Sequence, residues 1–161
     1  GPAPIFAYRG MIIPRYANSD LRNRLLNGGV NGYSLKEYGT LVMNNANRNT
    51  YPMIKGGEKV ISGIAYGTDG NGVHQDSIYE TVDGRYRYTS VLVGLPADQY
   101  KVEYAFRGYI VLTKDNKDIT IYGPAMAKSI YALAEQVLNM GTYASGSEAD
   151  AFLRKLISDA K

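Results

Sequence analysis

The chain has 161 residues, no cysteine and a formal net charge of +3. That length suits one domain with a real core rather than two, and the missing thiols exclude disulfides, thiolate metal sites and a cysteine nucleophile. The 18 Lys and Arg are scattered without a run, which excludes a nucleic-acid stripe, and no apolar run reaches the ~18 residues of a membrane-spanning helix.

The chain reads either as a cytosolic protein or as a module cut from a longer exported product, and Gly1-Pro2, a common remnant of an affinity-tag cleavage site, favours the second. Ile5 to Ile13 then forms a first strand, apolar in both phases and therefore expected to be buried on two sides, and Pro14 stops it. Asn18-Ser19-Asp20 caps a short helical turn reaching Leu25 or Leu26, ended by Gly28-Gly29. From Ser34 the signals compete. Ser34 with Glu37 resembles a capping box, yet the residue types that follow favour a strand over Glu37 to Met43. Asn44 to Asn49 is a polar loop, Val60 to Tyr66 the next strand with a bulge at Gly63, and Gly67 to Asp76 a loop dense in turn formers.

Ile78 to Val82 and Arg85 to Val93 flank Asp83-Gly84, a strong signal for a two-residue hairpin because both central positions need positive φ. Tyr100 to Thr113 alternates with period 2, as a half-buried strand does, and only Gly108 leaves its apolar row empty, marking a bulge, a bend or a close approach. Lys114 to Lys117 turns the chain back into Asp118 to Tyr122. After Gly123-Pro124 the period becomes 3.6, with Met126, Ile130, Leu133, Ala134, Val137 and Leu138 on one helical face and Gly141 as terminator. Ser145 with Glu148 opens a second helix carrying Ala149, Phe152, Leu153, Leu156 and Ile157.

About seven strands followed by two helices imply segregated rather than alternating elements. The fold expected is mainly β: an antiparallel β-sandwich with two C-terminal α-helices packed on it, in a single domain over 1–161 with its sandwich core at about 5–122 and its helical segment at about 124–160.

Chemistry is sparse. The single histidine, His74, stands in the turn-dense stretch with Asp69 and Asp76 near it, a pattern that reads as incidental loop residues before it reads as a base or ligand. No Gly-x-Ser-x-Gly elbow and no His-Glu-x-x-His occurs, so the chain is expected not to be an enzyme, with glycan hydrolysis by a carboxylate pair as a remote alternative. No cofactor is expected. Asp69, Asn71 and Asp76, or Asp115, Asn116 and Asp118, are weak candidates for a structural calcium ion, although Val73 and His74 break the EF-hand pattern.

Tyrosine is the compositional oddity, with 15 Tyr against 3 Phe and no Trp. It joins strand propensity to a ring that tolerates a half-wet position. The candidate ligand face is the hairpin around Asp83-Gly84, where Tyr79, Tyr86 and Tyr88 lie close together with Arg85, Arg87 and Glu80 between them. Such tyrosines stack on sugar rings while neighbouring polar groups bind hydroxyls; the competing reading packs them into the core or into cross-strand pairs. Tyr100, Tyr104 and Phe106 belong to the apolar row of the long strand and read as core.

The order EYGTLV (37–42), VISGIAY (60–66), YTSVLVGLP (88–96), FRGYIVLT (106–113), ITIYG (119–123) and KSIYALA (128–134) resembles a β-sandwich accessory module. Such modules recur in large secreted and cell-surface proteins of Gram-positive gut and rumen bacteria, beside immunoglobulin-like, carbohydrate-active or anchoring domains, including cellulosome-type assemblies. The resemblance carries no catalytic signature. It implies a non-catalytic extracellular module that binds or positions polysaccharide, with a structural spacer or protein-interaction unit as the alternative. Its implied partners are polysaccharide and the neighbouring modules of a longer chain, without nucleic acid or membrane insertion.

Overall fold

The structure, a computed structural model, describes residues 4, 6–12, 31–69, 72–74, 78–82 and 85–161; within these, the side chains of 9–12, 68, 69, 72–74, 78–82 and 85–87 are not described. The helical turn read over Asn18 to Leu26 lies outside the described residues. The strands are β1 (Phe6–Ile12), β2 (Ser34–Asn44), β3 (Ile61–Asp69), β4 (Gly72–His74), β5 (Ile78–Val82), β6 (Arg85–Leu92), β7 (Tyr104–Lys114) and β8 (Lys117–Lys128), and the helices are α1 (Ile130–Asn139) and α2 (Glu148–Asp159). They form two antiparallel sheets, one ordered β1-β6-β5 and the other β4-β3-β2-β7-β8, with the helices at the C-terminal end. The mainly β, sandwich-like arrangement expected from the hairpin signals is the one observed.

The sheets meet through aromatic and hydroxyl contacts. Phe106 of β7 receives Phe6 edge-on at 4.9 Å and the stacked ring of Tyr8 at 5.6 Å, both from β1. Beside them Tyr88 of β6 donates to the Gly39 carbonyl of β2 at 2.7 Å, and the hydroxyls of Thr40 and Ser90 lie 2.7 Å apart. Thus β6 lies over β2, and β1 lies over β7. Ala7 is exposed between buried Phe6 and half-buried Tyr8, so this part of β1 is covered on one face rather than two.

Strand β2 is buried on both faces. Leu41 and Met43 point to one side with Ala105, Tyr109 and Val111, and Tyr38 and Leu35 to the other with Tyr88. Leu35 shares the side of Tyr38, against simple alternation, because the register with β7 slips between Leu35 and Glu37 and makes Lys36 an extra residue. Strand β7 is likewise buried on both faces where period 2 predicts one. The segment between β2 and β3 folds back over the second face and seats Met53 and Tyr51 on it.

Several local readings shift for local reasons. Tyr100 and Val102 precede β7, because their N–H groups bond to Ala97 and Gln99 in a 3-10 turn. The polar loop at 45–49 is also a 3-10 turn, with the Asn44 side chain accepting from the Ala46 N–H. The bulge expected at Gly63 falls at Ala65, since Tyr38 pairs with Tyr66 and Gly39 with Ile64. The close approach belongs to Gly39 instead, where an added Cβ would stand 2.2 Å from the Gly63 carbonyl oxygen; one on Gly63 would meet nothing nearer than the Thr40 carbonyl at 3.7 Å. Gly108 does mark a bulge, standing opposite both Gly123 and Pro124.

Six residues of the turn-dense 67–76 stretch pair as strands β3 and β4, Gly67 with His74, Thr68 with Val73 and Asp69 with Gly72. Strand β8 runs through Gly123-Pro124 to Lys128, so Met126 lies opposite Phe106 in the sheet and not on a helix. Its i,i+4 spacing to Ile130 was coincidental. Helix α1 starts after Ser129, whose Oγ accepts from Ala132 N–H at 3.0 Å, and Gly141 follows its C-terminus at φ 65°. Helix α2 is capped by Ser147 rather than Ser145, because Gly146 takes φ 82° and turns the chain immediately before it.

Candidate functional site

The β5–β6 hairpin forms with the expected register, pairing Val82 with Arg85, Thr81 with Tyr86 and Glu80 with Arg87. Tyr79 is the extra residue where that register slips. Asp83 and Gly84 lie outside the described residues, and the side chains of Tyr79, Arg85, Tyr86 and Arg87 are not described. Tyr88 is described, and it is 2% exposed. Its ring tilts against Tyr38 at 5.1 Å, and burial pushes its hydroxyl well above the usual phenol range. Tyr88 is therefore a core residue that fastens two sheets and is withdrawn from the ligand face.

Of the calcium candidates, Asp69 ends β3 opposite Gly72, and Asn71 and Asp76 lie outside the described residues. His74 lies on β4, paired with Gly67. At the other acidic loop, Asp115 and Asn116 take φ 52° and 62°, the conformation of a two-residue hairpin turn. Asp118 is engaged by the Lys36 ammonium at 2.6 Å, which holds its carboxyl below the usual range. Among the described residues no group of three or more His, Cys, Asp or Glu could hold a metal ion.

A polar cluster that the sequence reading did not single out lies under the 45–60 segment. Glu37 is 5% exposed. Its Oε2 accepts from the Tyr109 hydroxyl at 2.5 Å and its Oε1 from the Lys55 ammonium at 3.1 Å. Burial, then the hydrogen bond to this carboxylate, raises the Tyr109 hydroxyl far above its ordinary value. Gly67 makes room for Glu37: it takes φ 136°, and a Cβ there would meet Glu37 Cγ at 2.9 Å. Next to this pair, Arg107 donates to the Met53 carbonyl at 2.7 Å and to the Gly123 carbonyl at 2.8 Å, and lies 4.6 Å from the ring centre of Tyr122. The Tyr122 hydroxyl accepts from Lys55 N–H at 2.9 Å.

Both Glu37 oxygens thus have a donor, as a buried carboxylate requires. Those donors come from the overlying segment and from the neighbouring strand, so the cluster works as a clasp between the segment and the sheet. The legible signal was a charged residue placed away from the strand ends, Glu37 in β2 and Arg107 in β7.

The remaining surface feature is the side of the sandwich along β8. Ile119 and Ile121 lie opposite Leu112 and Ile110, and Met126 opposite Phe106, so all three face the level of the smaller sheet. They are 44%, 50% and 53% exposed. At the Met126 end a groove of about 190 Å³ opens between β1, β7, β8 and α1, lined by Phe6, Tyr8, Phe106, Met126 and Leu133, with Lys128 at its edge.

No family model matches the chain, and neither a curated protein nor a solved structure matches it.

Proposed function

We propose that this chain is a non-catalytic module of a larger extracellular protein, and that it docks polypeptide rather than polysaccharide. The observation behind this reading is the chemistry of its exposed apolar surface. Ile119, Ile121, Met126, Val91, Val93 and Ile61 are exposed aliphatic side chains, whereas the large exposed aromatic residues among those described are Tyr143 and Phe152. Sugar recognition relies on flat rings offered to solvent. Aliphatic rows on a sheet are instead buried by another polypeptide. Extracellular placement follows from the resemblance to Gram-positive surface modules, with which a cysteine-free composition is compatible.

A second reading, polysaccharide binding at the hairpin, retains Tyr79, Tyr86, Arg85 and Arg87, because the strand pairing brings them onto adjacent strands. One experiment separates the two. The protein is titrated calorimetrically against the purified modules encoded beside it and screened on an array of plant and host polysaccharides. Docking predicts saturable heat with a neighbouring module and a silent array. Polysaccharide binding that disappears in the Tyr79→Ala, Tyr86→Ala double variant would replace docking with the glycan reading.

A further inference from the structure

The two sheets are unequal. Strand β6 covers β2 and β1 covers β7, but among the described residues no strand pairs with the outer edge of β1, the position above β8. The row on β8 that faces this position is apolar and exposed: Ile119, Ile121 and, beyond the bulge at Gly123-Pro124, Met126. Among the described residues the sandwich is therefore one strand short on this side. Strand alternation places Lys117 on the face of Ile119 and Ile121 at one end, and Lys128 borders the groove at the other. The cross-strand neighbour of Lys117 is another cation, Lys114. Among the described residues the Lys128 ammonium donates to a neutral acceptor, the Gln136 side-chain oxygen.

We propose that this open side is a docking site for an extended strand of a partner polypeptide. Its backbone hydrogen-bonds to the outer edge of β1, which no described strand pairs, its alternate aliphatic side chains bury Ile121 and Ile119 and fill the groove at Met126, and acidic residues at its ends meet Lys128 and Lys117. This assignment deepens the docking function above and rests on it. A free strand edge supplies main-chain hydrogen bonds, and pockets beneath it select alternate side chains. The groove, at about 190 Å³, is of a size to accept one side chain. The flanking lysines favour a strand with carboxylates at its ends over a neutral or basic one. They also oppose self-pairing of two copies through this row, because the row offers them no complementary charge.

The test uses a fluorescein-labelled peptide of about eleven residues, long enough to span β8 at about 3.3 Å per residue. It alternates valine with threonine and carries glutamates at both ends. Controls have the alternation scrambled or the glutamates replaced by lysines. We expect saturable anisotropy with the alternating acidic peptide and a loss of roughly tenfold or more in affinity with either control. Ile121→Lys and Met126→Lys should cause a similar loss while leaving the melting temperature nearly unchanged, because both side chains are already exposed. The double variant Lys117→Glu, Lys128→Glu should reverse the preference toward the lysine-flanked peptide. Hydrogen exchange should slow at β1 amides when the peptide is added.

Peptide binding insensitive to the β8 variants would overturn this site and leave polypeptide docking in place. No binding at millimolar peptide overturns the site, and if the neighbouring modules are silent as well the docking function falls with it. Concentration-dependent dimerisation abolished by Ile121→Lys would assign the face to a second copy and overturn the acidic partner strand.

Discussion

Tyr109 donates its hydroxyl to a carboxylate that water barely reaches, and that geometry makes the pair sensitive both to substitution and to alkali. In Tyr109→Phe, Glu37 Oε2 keeps its burial and loses its donor. An orphaned buried acceptor costs about 1–3 kcal/mol, so the urea midpoint should fall with an unchanged denaturant slope. The pH dependence follows from the direction of the shifts. Tyr109 and Tyr88 both hold their protons more tightly in the folded state than the ordinary phenol, chiefly through burial. Above a pH of about 10 the unfolded chain loses these protons while the folded chain keeps them, so the unfolded state binds fewer protons and stability falls as pH rises. Their stabilising contribution is complete below that pH and is lost toward the folded-state values. Melting temperatures across the alkaline range should therefore decline in the wild type and decline less steeply in Tyr109→Phe. A parallel profile would mean that other groups carry the transition.

At the scale of elements, both helices begin on a serine cap. Ser129 accepts from Ala132 N–H, and Ser147 accepts from Asp150 N–H at 3.2 Å. Asp150 in turn accepts from Gly146 N–H at 3.0 Å and pairs with Arg154, contacts that hold its carboxyl below the ordinary range. Removing either cap, in Ser129→Ala or Ser147→Ala, should cost about 0.5–2 kcal/mol, measured by chemical denaturation followed by far-ultraviolet circular dichroism. The second helix shows how far local reading carried. A serine followed three residues later by an acid was the right kind of signal, but it was satisfied by Ser147 and Asp150 instead of Ser145 and Glu148, because the φ of Gly146 decides where the helix can begin. The first helix started later than its periodicity implied, since pairing with β7 kept 125–128 extended. Strand and helix types were legible from side-chain period; their ends were decided by hydrogen bonds to other elements.

At the scale of the whole molecule, the two sheets are joined at Phe106. It is 4% exposed and takes both Phe6 and Tyr8 of β1 onto its ring. Phe106→Ala removes that joint and should cost about 3–5 kcal/mol, with β1 amides exchanging faster than those of β2 in hydrogen-exchange measurements; equal acceleration in both strands would mean that the sheets open as one unit. The sequence by itself read β4 as loop and 125–128 as helix, but it determined the kind of most described elements, the antiparallel hairpins, the core character of Phe106 and the two C-terminal helices. These follow from periodicity, turn chemistry and caps, which act over a few residues. Only the tertiary structure decided that β7 is covered on its second face, that Tyr88 is a core residue, that Glu37 is clasped by Tyr109 from 72 positions away, and that β8 carries exposed aliphatic side chains on the face toward the smaller sheet. Each of these depends on which distant segments meet, and a side chain's own neighbours in the chain carry no record of that.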